Sequence, residues 1–230
     1  MSSAKTALVT GGNRGIGLEV VRQLAARGWR VFLGTRNPGA AEAIRSRLPG
    51  QVEIVGLDVA SAESAAEAAR EVSAKIESLD VLVNNAGVML DGDESVLTLS
   101  EDVVRSTFEI NTFGPLRVTQ AFLSLLRKST APRIINVSSG AGQLGGGIQA
   151  LAPAYSISKT ALNSVTKQLA AALPDFAVNS VTPGWVKTDM GGANATRSVE
   201  QGADVIVWLT CEAAQSLTGK FLRDRQVIDW

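Results

Sequence analysis

Thr10-Gly11-Gly12-Asn13-Arg14-Gly15-Ile16-Gly17 follows the apolar run Ala7-Leu8-Val9 and opens a helical pattern, so the passage reads as strand, glycine turn and helix. Glycines at 11, 15 and 17 let the backbone turn sharply at a strand end, approach a phosphate with no Cβ in the way, and pack the helix close on the sheet. A pyrophosphate suits such a turn because the free N–H groups and the dipole at a helix N-terminus favour negative charge. The spacing is G-x-x-x-G-x-G rather than G-x-G-x-x-G, and an ordinary strand-to-helix turn accounts for it equally well on its own. The rest of the chain decides between the two.

Beyond the turn, Ile16, Val20 and Leu24 repeat every four residues and set an apolar helix face toward a sheet, until Gly28 ends the helix. Strands are expected over 30–35, 51–57 and 80–83, closing on Arg36, on Asp58 and on Asn84-Asn85-Ala86-Gly87 respectively. Pro38 and Gly39 start one helix, and Ser61 is placed to cap an alanine-rich one reaching about residue 78. A helix over 100–127, capped by Ser100, carries Leu116, Thr119, Leu123 and Leu126 on one face. Then come a strand over 133–137 ending at Ser138-Ser139, a loop with Gly145-Gly146-Gly147, and a helix over 154–172 stopped by Pro174. A strand over 177–181 leads to Pro183-Gly184, followed by a helix over 199–211 and a last strand over 220–222. Short, continuous apolar strands alternating with helices imply a parallel sheet covered on both faces. The expected fold is α/β: a single-domain, Rossmann-like, doubly wound parallel sheet of about seven strands spanning residues 1–230.

Composition narrows the chemistry. Lys+Arg and Asp+Glu are 22 each, so the net charge is zero and gives no pull toward nucleic acid or an anionic membrane; a small molecule is the expected partner. Met1-Ser2-Ser3-Ala4-Lys5 runs into the first strand without a signal-peptide pattern, and no stretch approaches a membrane span, so a cytoplasmic location is expected. The absence of histidine excludes Ser-His-Asp and Cys-His nucleophilic sites, H-E-x-x-H zinc sites and histidine bases. Acid–base work falls to tyrosine, lysine or carboxylates, and no metal site is expected. Asp91-Gly92-Asp93-Glu94 lacks the glycine and the downstream glutamate of a calcium loop and reads as a solvated loop. The one cysteine, Cys211, sits beside Trp208 and Leu209 and reads as buried and inert.

Tyr155 and Lys159 stand four residues apart on one helix face. An ammonium near a phenol favours the phenolate and lowers its pKa, which suits a general acid or base. Alone, such a pair is most simply a surface contact. Ser139, however, lies 16 residues earlier at the end of a strand, where open α/β sheets bind their ligands.

With these residues in place, the chain resembles the short-chain dehydrogenase/reductase family, and within it the NADPH-dependent carbonyl reductases. The family motifs occur in order: T-G-x-x-x-G-x-G from Thr10 to Gly17, N-N-A-G from Asn84 to Gly87, Y-x-x-x-K from Tyr155 to Lys159, and Pro183-Gly184. The narrower resemblance rests on Pro183-Gly184-Trp185-Val186-Lys187-Thr188-Asp189-Met190 and on Gly219-Lys220-Phe221.

The resemblance implies a reductase of small ketones, aldehydes or quinones. Tyr155 would donate the proton and Ser139 would bond the same carbonyl oxygen, while Lys159 holds the nicotinamide ribose and Asn111 anchors a relay water. Two alternatives stay open on the residues themselves: Asn111 bridges a helix irregularity, or Ser138 rather than Ser139 faces the site. The resemblance places the cofactor on Gly11, Asn13, Arg14, Gly15, Ile16 and Gly17, with Asp58 and Val59 at the adenine. Asn85 and Gly87 follow on the adenosine side and Val186 to Thr188 at the carboxamide, with Ala86, Ile110, Pro183 and Gly184 also at the cofactor. It also implies a homodimer or homotetramer paired through the helices over 100–127 and 154–172.

Cofactor choice can be read directly. An NAD enzyme carries an acidic residue about 20 positions past the glycines, but residues 31–37 hold none, and Arg36 stands 19 beyond Gly17. With Arg14 it can pair a 2′-phosphate, which a guanidinium fork suits, so NADP(H) is expected. Trp185 and Met190, just past Pro183-Gly184, are the expected substrate contacts and favour a compact, largely apolar carbonyl compound. The other reading of Trp185 packs it under its loop. A 3-oxoacyl or other alcohol dehydrogenase of the same family, and a non-catalytic NADP-binding sensor or scaffold, are the competing functions.

Overall fold

The computed structural model describes residues 4–92, 94–145 and 151–230. The expectations for residues 1–3, Asp93, Gly146 and Gly147 lie outside them. The chain runs β1 (Thr6–Thr10), α1 (Gly15–Ala26), β2 (Arg30–Thr35), α2 (Pro38–Arg45), β3 (Gln51–Gly56), α3 (Ala62–Ser73) and β4 (Val81–Asn84). It continues with α4 (Glu101–Phe108), a π-helical turn (Glu109–Phe113), α5 (Gly114–Leu126), β5 (Arg133–Val137), a 3-10 turn (Gly140–Gly142) and α6 (Pro153–Ala172). The last elements are β6 (Ala177–Val181), α7 (Val199–Cys211), β7 (Lys220–Arg223) and β8 (Gln226–Ile228).

All eight strands form one sheet in the order β3-β2-β1-β4-β5-β6-β7-β8, parallel except for the antiparallel β7–β8 pair. Strand side chains alternate between two cores. Ala7 and Val9 join Val20, Leu24, Ile206 and Leu209 on the α1 and α7 side. Leu8, Phe32 and Leu82 point the other way, against Ala65 and Val72 of α3 and Phe122 and Leu126 of α5. Both faces are therefore apolar, which is why the strands read as continuous apolar runs rather than alternating ones.

Several boundaries differ from the sequence reading. The sheet has eight strands rather than about seven, because β7 doubles back through Asp224 and Arg225, both left-handed (φ 49° and 64°) and neither a glycine. That two-residue hairpin lacks the usual turn signal. Helix α3 stops at Ser73, short of residue 78: the chain must leave it to bury Leu79 and to bring the Asp80 carboxylate to the Thr6 amide at 2.8 Å. Ser61 does cap α3, accepting from the Ser64 amide at 3.1 Å, whereas Ser100 precedes α4 without a side-chain cap bond. The helix expected over 100–127 is broken by the π-helical turn. Cys211 is half-buried rather than buried, with burial pushing its thiol pKa up.

Candidate active site

The strand order reverses direction between β1 and β4, and the chain leaves both strands at the same sheet edge, which opens the crevice where such sheets bind ligands. After β1 comes the glycine turn, with Gly11 and Gly15 in the left-handed region (φ 62° and 52°). At Gly17 a Cβ would collide with the Gly11 carbonyl oxygen and the Asn85 amide. Asn85, from the turn after β4, donates its Nδ2 to the carbonyls of Thr10 and Gly11 at 2.9 and 3.2 Å and so fixes the turn. Arg14 precedes α1 without a side-chain cap, leaving the first turn of the helix uncapped beside the crevice. These features fit a pyrophosphate: backbone donors, no Cβ in the way, and a tied loop.

At the other end of the crevice stand Ser139, after β5, and Tyr155 and Lys159, on α6. Ser138 turns inward, donating to the Lys159 carbonyl at 3.3 Å, so Ser139 is the serine that faces the tyrosine. Tyr155 is held with its pKa above the ordinary value, because burial disfavours the phenolate; the hydrogen bond from Ser139 pulls in the opposite direction. The expected lowering by the lysine is thus corrected. The ammonium stands 5.7 Å from the tyrosine ring centroid and donates to the Val137 carbonyl at 2.8 Å. Burial pulls Lys159 itself down to about 8.

Asn111 lies in the π-helical turn, wholly buried, and engages both the carbonyl and the amide of Val88 at 2.8 Å. Its Nδ2 also reaches Ser158 Oγ at 3.0 Å, so the amide ties the chain after β4 to α6 rather than bonding across the irregular turn it sits in. Asn111 Oδ1 and Lys159 Nζ converge on Gly87, where a Cβ would lie 3.2 and 3.4 Å from them.

Asp91 corrects a second expectation. It is buried rather than solvated: its carboxylate crosses to the start of α6 and accepts from the amides of Ala154 (2.5 Å) and Tyr155 (3.3 Å). The residue preceding α6, Ala152, is left-handed (φ 46°) and has no capping side chain, so the cap comes from 63 residues upstream. Only the tertiary fold supplies it, and no local capping motif announced it.

The stretch after β6 folds back on itself. Val186 bridges Arg197, and the Trp185 indole N–H donates to the Gly191 carbonyl at 2.8 Å. Trp185 (53% exposed) and Met190 (41% exposed) stand at the surface of the crevice rather than under the loop. Arg14 is paired with Asp189 of this loop at 2.7 Å, so it is committed to a carboxylate instead of standing free beside Arg36.

One cavity of about 1180 Å³ joins both ends and is lined by every anticipated site residue except Asn111, which sits behind the wall. Arg36 lines it at the end of β2. Arg223, at the end of β7, also lines it and was not anticipated, because it belongs to none of the motifs.

The short chain dehydrogenase family model matches residues 5–201. The chain is 32% identical to an Arabidopsis thaliana (+)-neomenthol dehydrogenase, over 97% of each chain. Among solved structures it superposes on an NADPH-bound carbonyl reductase from chicken fatty liver with a TM-score of 0.90 and 30% identity, over 99% of both chains. The carbonyl reductase Sniffer of D. melanogaster matches with a TM-score of 0.88 and 27% identity, over 99% of this chain and 100% of the other. Fold, motif order and family match together place this chain in the short-chain dehydrogenase family, as an oxidoreductase.

Proposed function

We propose that the protein is an NADPH-dependent reductase of the carbonyl group of small ketones, aldehydes or quinones, acting in the cytoplasm, with Tyr155 as general acid. The observation that carries this is the pairing of the Ser139 and Tyr155 hydroxyls beside a buried Lys159, in the same cavity as the glycine turn.

A bound nicotinamide cofactor would supply the hydride that reaches the carbonyl carbon. Ser139 holds the carbonyl oxygen against the phenol, and Tyr155 gives that oxygen its proton as charge develops on it. Burial suits this direction, since a raised pKa keeps the proton on Tyr155 at neutral pH until the oxygen takes it. Lys159, still mostly cationic at neutral pH with a pKa of about 8, stabilises the phenolate left behind. It also holds the nicotinamide ribose, with Asn111 behind it as the end of the relay that returns the proton.

The glycine turn takes the pyrophosphate, Asp58 and Val59 the adenine, Asn85 to Gly87 the adenosine side, and Val186 to Thr188 the carboxamide. Arg36 takes the 2′-phosphate; Arg14 joins it only by releasing Asp189. One domain thus carries both cofactor and substrate sites. The protein pairs into a homodimer or homotetramer through α4, α5 and α6, on which side Phe113 and Ile157 are exposed at 49% and 47%. Light scattering showing only a 24.0 kDa species refutes the pairing.

The test compares kcat/KM for NADPH and NADH over a panel of aromatic and aliphatic carbonyl compounds. NADPH is preferred, and Tyr155→Phe lowers kcat about a hundred- to ten-thousand-fold while its NADPH affinity stays near that of the parent. Absence of turnover across the panel, or a Tyr155→Phe variant that retains its rate, defeats the reading.

A further inference from the structure

The cavity's cations are not equally engaged. Arg14 is paired with Asp189, Lys159 donates to Val137, Arg36 stands at the cofactor end, and Lys187 lies within the stretch given to the carboxamide. Arg223, like Arg36 without a carboxylate partner among the described residues, differs in its place beside the serine. It is the last residue of β7, at the sheet edge where the ligand crevice opens, and its side chain is exposed. Its guanidinium lies over Gly140, the residue that follows Ser139: a Cβ on Gly140 would come within 2.8 Å of Arg223 Nη2. The Gly140 amide is in turn held by Thr182 Oγ1 at 3.0 Å, which fixes the floor under the guanidinium.

The neighbouring arginines show what Arg223 lacks. Arg197 pairs with Asp224 and Arg225 with Asp204, each at 2.5 Å, whereas Arg223 has no carboxylate within ion-pair distance among the described residues. The cavity that Arg223 lines also carries apolar side chains, among them Leu151, Ala152, Trp185 and Met190. A cation without a counter-ion, one residue from the serine that would hold the carbonyl oxygen, is a receptor for an anionic group on the same substrate.

We propose that Arg223 is a specificity-determining residue that binds a substrate carboxylate, so that the favoured substrates are oxo acids with an apolar body rather than neutral ketones. This rests on the carbonyl-reductase reading above and refines its substrate from apolar to amphiphilic. The carboxylate sits on Arg223, the carbonyl on Ser139 and Tyr155, and the apolar body against Trp185 and Met190.

The test uses matched acids and methyl esters: phenylglyoxylate with methyl phenylglyoxylate, and 4-acetylbenzoate with its ester. Between wild type and Arg223→Gln, the acid-to-ester ratio of kcat/KM falls about ten-fold or more for at least one pair, and Arg223→Lys recovers part of it. A ratio left unchanged in both pairs overturns the proposal. A second arm needs no turnover: mandelate is titrated calorimetrically into the NADP⁺-loaded protein. Its Kd weakens in Arg223→Gln; equal Kd values, or no binding to wild type, overturn the proposal. If neither acids nor esters are reduced, the reductase reading fails, and the calorimetric arm still decides the role of Arg223.

Discussion

At Lys159 the protein holds an ammonium almost wholly out of water, at 4% exposure, with the Val137 carbonyl as its hydrogen-bonded protein acceptor. Burial lowers its pKa from 10.5 to about 8, and that shift has a definite sign for stability. Below about pH 8 both folded and unfolded chains carry the proton, and the cost of burying the charge is felt in full. Between about 8 and 10.5 the unfolded chain binds the proton and the folded chain does not, so stability rises with pH through this window. The shift corresponds to about 3 kcal/mol at 1.36 kcal/mol per pKa unit. Lys159→Met is therefore expected to be at least as stable as wild type in urea at neutral pH and to lose that advantage as the pH approaches 10, while its reductase activity collapses. A variant less stable than wild type at neutral pH, with no convergence on the alkaline side, contradicts this. That Ser139, Tyr155 and Lys159 share one cavity was legible in sequence, because a strand end and a four-residue helical spacing are local signals. The direction of the tyrosine shift was not, since it depends on how deeply the phenol is buried and on where the ammonium points.

The elements that carry these groups depend on contacts far away in sequence. Helix α6 begins without a local cap, and Asp91 supplies one by bonding the Ala154 and Tyr155 amides. A carboxylate there meets both the free N–H groups and the positive end of the dipole. Removing it in Asp91→Ala is expected to cost about 1–2 kcal/mol and to lower kcat more than it weakens NADPH binding, because Tyr155 lies in the first turn and the glycine turn is remote. Asp91→Asn keeps an accepting oxygen and recovers most of the loss. Urea unfolding with kinetics on both variants checks this; an alanine variant as stable and as fast as wild type rules out the capping role. The same dependence on context separates what was legible among the elements from what was not. Strands β2, β5 and β6 and helix α7 were read with their observed ends, because an apolar run or periodic face bounded by Gly, Pro or Ser is a local signal. Strand β8 was missed because its turn uses Asp224 and Arg225, and the end of α3 was misplaced because Leu79 and Asp80 are claimed by the sheet.

Across the whole molecule, a ligand taken into the cavity would be coupled to the stability of the fold. Its walls come from the ends of β1, β2, β3, β4, β5, β6 and β7, so a dinucleotide lying along it would contact the sheet on both sides of the reversal in strand order. A ligand that binds only the folded state stabilises it by about 2.7 kcal/mol at a hundred times its Kd. For a chain of 230 residues, about 2–4 °C of Tm per kcal/mol makes the shift roughly 5–10 °C. Arg36 lines this cavity at the end of β2, and no carboxylate pairs with it among the described residues. A 2′-phosphate placed against it gains a charge-assisted hydrogen bond that a bare ribose hydroxyl cannot match. NADPH is therefore expected to raise Tm more than NADH at equal concentration, and Arg36→Asp to reverse the order, since a carboxylate repels the phosphate and accepts from the hydroxyl. Thermal unfolding with each cofactor, without any carbonyl substrate, separates cofactor choice from turnover. Equal shifts for the two cofactors in wild type, or an unchanged difference in Arg36→Asp, would remove Arg36 from the cofactor site.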